Sequence, residues 1–65
     1  MSRKTVLSRG SERVTVVTDT LGTQVLDEHG SVIVTYGDNR HDEVVASYVA
    51  SGWIVESDQV EAIAS

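Results

Sequence analysis

Alternation between apolar and polar positions dominates the first half of the chain. Arg13 to Thr18 reads Arg-Val-Thr-Val-Val-Thr, which sets Val14 and Val16 on one side of a strand and Thr15 and Val17 on the other. Thr20-Leu21-Gly22 interrupts the run, and Thr23 to Leu26 resumes it as a second strand. Asp27-Glu28-His29-Gly30 has the composition of a hairpin loop closed by a left-handed glycine. Ser31 to Tyr36 then returns, with Val32, Val34 and Tyr36 predicted on one face and Ile33 and Thr35 on the other. Upstream, Thr5 to Ser8 is a candidate for a short first strand, and Arg9-Gly10-Ser11-Glu12 reads as a turn. These segments predict an antiparallel meander.

The period changes at Gly37. Val45, Tyr48 and Val49 recur at helical spacing, and Val44 and the alanines widen the stripe. Asp38 or Asn39 is placed to cap the helix, Asp42 and Glu43 complement its dipole, and Gly52 supplies a left-handed stop. A helix over residues 40–51 follows. Trp53 to Glu56 is a short strand candidate that returns to the sheet. Beyond it, Asp58 and Glu61 have capping-box spacing, so a terminal helical turn with Val60 and Ile63 facing inward is expected. The predicted fold is α+β, a small two-layer domain in which an antiparallel β-meander carries one main covering helix, in the order β-β-β(-β)-α-β-α. Residues 1–4 are expected as a flexible basic arm and residues 5–65 as a single domain.

Composition sharpens this picture. Twelve valines stand against three leucines and three isoleucines, with no phenylalanine, so the core is β-rich but shallow. Trp53 is the one side chain with enough volume to plug it. A chain of 65 residues buries only about 60% of its unfolded surface, and the absence of cysteine removes disulfides and thiol chemistry as compensation. Burial against a second subunit or partner is the remaining route.

The net charge of −5 is unevenly spread. Residues 1–13 hold Arg3, Lys4, Arg9 and Arg13 against Glu12, whereas residues 14–65 hold Arg40 against nine carboxylates. The basic segment is a candidate interaction arm, and Asp42, Glu43 and Glu56 are a candidate acidic interaction face. Four cations on an arm are compatible with phosphate contact, but the acidic remainder repels a polyanion, so nucleic acid is not the expected partner. The apolar run after Arg3 and Lys4 is only Val6 and Leu7, far short of the roughly 7–15 residues of a signal segment or the about 20 of a membrane span. A cytoplasmic protein with no membrane attachment is therefore expected.

Candidate chemistry adds little. His29 and His41 each sit beside carboxylates, but metal-ligand spacing is missing and both are accounted for as solvated turn or cap residues. None of the eight serines lies in a nucleophile elbow, and the glycines form no phosphate loop. Neither a metal nor a cofactor is expected, and catalysis is not. The expected function is a non-enzymatic interaction module that binds a protein partner or itself, as a homodimer, through its sheet edge or face. The alternatives are a nucleic-acid-associated regulator that uses the basic arm, or an assembly or capsid component. On the leading reading, removal of residues 1–9 is expected to leave the fold intact.

Overall fold

Valine-rich alternation produces five strands and the single helical stripe produces one helix. A computed structural model describes residues 2–61. In chain order the elements are β1 (Ser2–Arg9), β2 (Glu12–Asp19), β3 (Gly22–Leu26), β4 (Val32–Tyr36), α1 (His41–Ala50) and β5 (Ile54–Glu61). The strands form one sheet in the order β4-β3-β2-β1-β5, and every neighbouring pair is antiparallel. Hairpins join β1 to β4 as a meander. The helix then carries the chain back across the sheet, so that β5 pairs with β1 on the far edge.

Parity decides which residues enter the core. Leu7 of β1, Val14 and Val16 of β2 and Val25 of β3 point to the helix side and are buried together with Val44 and Trp53. Val34, Tyr36, Val45 and Tyr48 pack around this cluster. The register slips between Val25 and Leu26, so Val34 stands opposite Val25 but Val32 stands opposite Leu26. That slip moves Val32 to the helix-free side and corrects the expectation that it shares a face with Val34 and Tyr36. Ile33 instead lines a cleft with Val14, Tyr48 and Trp53.

Three further expectations are corrected. Ser2, Arg3 and Lys4, expected as a loose arm, lie in β1, which sits between β2 and β5 and supplies buried Thr5 and Leu7. Residues 2–9 are thus an internal strand of the sheet, and their removal should unfold it rather than leave the fold intact. The capping-box reading of Asp58 and Glu61 also fails. Residues 54–61 continue as β5, because pairing with all but the last residue of β1 outweighs a local helix-start signal. Val60, expected to face inward, is exposed on β5, and Ile63 lies outside the described residues. Finally, the helix N-cap is Arg40, which makes no side-chain cap bond. Asn39 nevertheless accepts from the backbone N–H of His41 at 3.2 Å, and the Thr23 hydroxyl accepts from that of Arg40 at 3.0 Å.

The helix ends as expected. Gly52 adopts φ 95°, its N–H bonds to the Val49 carbonyl, and the Trp53 N–H reaches back to the Tyr48 carbonyl. This is a Schellman termination, and its usual apolar contact is made by Trp53 and Tyr48, whose rings meet edge to face at 5.3 Å. The termination therefore aims Trp53 into the core. Gly30 likewise has the positive φ, 84°, expected of the Asp27–Gly30 loop, whose backbone amides at His29 and Ser31 donate to the Asp27 carboxylate.

Candidate functional site

The chemistry-bearing residues gather at three places: the two sheet edges, the helix-free sheet face, and a buried polar chain beneath the start of α1. The edge formed by β5 is tied by side chains from β1 and β2. Arg3 leaves β1 and makes a paired contact with Asp58, through Nε at 3.1 Å and Nη2 at 2.8 Å, while its Nη1 meets Asp42 at 2.6 Å. Thr5, one strand position further in, donates to Asp58 at 2.9 Å. Arg13 reaches from β2 to Glu56 at 3.1 Å. Between Val55 and Ser57 the register with β1 slips, leaving Glu56 as the extra residue of a bulge.

Two residues of the expected arm and two of the expected acidic face are therefore counter-ions of one another. Arg3 pairs with Asp42, Arg13 pairs with Glu56, and Glu43 lies 3.5 Å from Arg40. Arg9 lies over the Trp53 ring at 5.0 Å and beside Glu12 at 3.5 Å. Lys4 is exposed on the helix-free side. Asp42, Glu43 and Glu56 do not converge on one patch. The charge asymmetry read along the chain is thus offset in part across the sheet.

These pairs fix the titration of Asp58. The Arg3 guanidinium first, and then the Thr5 hydroxyl, hold its carboxyl at about 2, below the ordinary 3.8. As the pH falls the unfolded chain takes up this proton first, so the stability supplied by Asp58 is present above its unfolded value and is lost toward about 2. In urea titrations between neutral pH and pH 2, the advantage of the wild type over Asp58→Asn should shrink progressively below about pH 4. A constant difference across that range would refute the assignment.

The buried chain is the feature that sequence reasoning missed. His41, expected as a solvated cap, is 2% exposed. Its Nε2 lies 2.7 Å from the Thr5 hydroxyl and its Nδ1 lies 2.8 Å from that of Thr18. Thr18 continues to Thr23 at 2.9 Å, and Thr23 donates to the Asp38 carbonyl at 3.1 Å. Burial, followed by the positive charge of Arg3, pushes the ring below its ordinary basicity, while Asp58 and Asp42 push in the opposite direction. The signal was present in the alternation. Thr5 shares the parity of Leu7, Thr18 that of Val14 and Val16, and Thr23 that of Val25, so a threonine stands at a core position on three adjacent strands.

On the helix-free face, Val6, Thr15, Leu26 and Val32 stand in register across β1 to β4. The first three are half-buried and Val32 is exposed. Among the described residues no three His, Asp or Glu side chains are grouped as metal ligands, and no helix is long and apolar enough to cross a membrane. The chain matches no family model, no curated protein and no solved structure.

Proposed function

We propose that this domain is a non-enzymatic interaction module that accepts a partner strand at the β4 edge of its sheet, in the first instance from a second copy of itself. The observation that carries this reading is the contrast between the two edges. Both edge strands carry a bulge, but β5 also presents the charged side chains of Glu56 and Asp58, which discourage pairing with another chain. β4 reads Val-Ile-Val-Thr-Tyr, without charge or proline, and exposes Val32 and Ile33 by 52% and 55%. An edge strand presents unpaired backbone donors and acceptors, so a further strand is the occupant whose chemistry it matches.

Pairing at β4 also extends the row of Val6, Thr15, Leu26 and Val32, three of them apolar, into the partner's sheet. A symmetric pair of this kind buries apolar surface that the shallow core leaves exposed. The reading as a nucleic-acid regulator loses support, because Arg3 and Arg13 are engaged with carboxylates of the same chain.

The test is light scattering or sedimentation in the high micromolar range, with Ile33→Lys as the comparison. The wild type should be dimeric there. The lysine, placed at an exposed bulge position, should return it to monomer with an unchanged far-ultraviolet spectrum. A strictly monomeric wild type, or a dimer indifferent to Ile33→Lys, would reject β4 as the pairing edge.

A further inference from the structure

The hydrogen-bond chain through His41 has an acceptor at each end. At one end is the Asp58 carboxylate, which receives the Thr5 proton, and at the other is the Asp38 backbone carbonyl, which receives the Thr23 proton. Between them lie Thr5, His41, Thr18 and Thr23, so the chain comprises five contacts: Asp58–Thr5, Thr5–Nε2, Nδ1–Thr18, Thr18–Thr23 and Thr23–Asp38. Each contact needs one proton. Three hydroxyls supply three, a neutral imidazole supplies a fourth, and only an imidazolium supplies the fifth.

The two neutral tautomers fail at different places. With the proton on Nδ1, Nε2 must accept from Thr5, and Thr5 then has nothing to donate to Asp58. With the proton on Nε2, Thr18 must donate to Nδ1. Thr23 then serves either Thr18 or the Asp38 carbonyl but not both. The Arg40 amide already donates to Thr23 and cannot mend either break.

We propose that His41 is a proton-loaded latch: the folded domain takes up a second ring proton from solvent, and that proton ties strand β5, through Thr5 and Asp58, and the start of α1, through Thr18, Thr23 and Asp38, at the same time. When the proton leaves, one of the two ties must open. Burial of the ring opposes the imidazolium most, and the charged groups around it adjust the balance. Arg3 of β1 and the N-terminus of α1 disfavour the imidazolium, and Asp58 of β5 and Asp42 of α1 favour it. On the approach to α1, the Asp38 carboxylate is engaged by Arg40, which also faces Glu43. From β2 and β3, only the hydroxyls of Thr18 and Thr23 touch the chain. This inference does not depend on pairing at β4.

Proton-resolved 15N spectra of the histidine rings in the full chain, followed from pH 8 to pH 4, test it, with exposed His29 as the internal reference. Below its midpoint, His41 should carry protons on both nitrogens while the backbone amide spectrum stays dispersed. Thr18→Val supplies the second arm. Its loss removes the two contacts made by Thr18, and the remaining three are fully served by Thr5, Thr23 and a neutral ring protonated on Nε2. The His41 midpoint in that variant should fall by one pH unit or more, a tenfold or greater rise in the acid required. A ring that stays singly protonated wherever the domain is folded would overturn the proposal. So would unfolding that coincides with ring protonation, or a midpoint unmoved by Thr18→Val.

Discussion

Trp53→Ala is expected to remove a large share of the domain's stability. The side chain is buried against the valine cluster, and removal of a core tryptophan costs about 3–5 kcal/mol. A domain of this length holds roughly 3–10 kcal/mol in total at typical stability per residue. The loss falls on two structures at once, because Trp53 fills the core and also makes the edge-to-face contact that completes the helix termination. Far-ultraviolet circular dichroism of the variant checks the outcome. In the wild type, Trp53 emission should be blue-shifted and move to the red in denaturant. A cooperative thermal transition for Trp53→Ala close to that of the wild type would show that the valines alone sustain the core.

The second large effect is at Gly22, where the backbones of β3 and the end of β4 approach too closely for any side chain. A Cβ there would lie 2.1 Å from the Tyr36 carbonyl oxygen and 3.0 Å from the Gly37 carbonyl carbon, both main-chain atoms that cannot rotate away. The residue also adopts φ 139°, in a region that L-residues avoid. Gly22→Ala should therefore cost about 3 kcal/mol or more, at or above the upper end of ordinary overpacking. Gly30→Ala provides the contrast. It shares a positive φ, but its Cβ would meet nothing within 4 Å, so only the conformational cost of about 1–2 kcal/mol remains. Denaturant midpoints of the two variants separate close approach from backbone conformation, and equal losses would refute the distinction.

The contrast between these glycines marks how much could be read from the chain. Local signals carried well where a local cause decides the structure: the alternation of β2, the Asp27–Gly30 loop, the existence of the helix and the stop at Gly52. Of its expected stripe, however, the helix buries Val44, half-buries Val45 and Tyr48, and leaves Val49 and the alanines exposed. They failed where distant residues decide. Asp58 and Glu61 carry a helix-start pattern, yet pairing with β1 makes them part of a strand. The register slip that turns Val32 away from Val34 depends on how β3 and β4 fit, which composition does not encode. Basic and acidic segments read as separate surfaces, because their pairing spans most of the chain, from Arg3 to Asp58. His41 looked solvated among its carboxylate neighbours. Only the inward parity of Thr5, Thr18 and Thr23, combined across three strands, reveals a polar slot to receive it.

The position of β1 has a kinetic consequence. The three hairpins of the meander close over a few residues each, whereas the β1–β5 pair brings Ser2 opposite Glu61. Joining such remote segments costs more chain entropy than closing a tight turn, and non-local pairing of this kind slows folding. The meander is thus free to assemble early, with β1 as its provisional border and arginines at positions 3, 9 and 13 on the two strands nearest the gap. The incoming strand carries Glu56 and Asp58, the partners of Arg13 and Arg3. Opposite charge on the border arginines and the incoming strand favours their encounter, and it does so more at low ionic strength, where attraction reaches beyond about 10 Å. The ion pairs along β5 then guide this last strand into place as well as holding it in the finished sheet, and the refolding rate should fall as salt is raised.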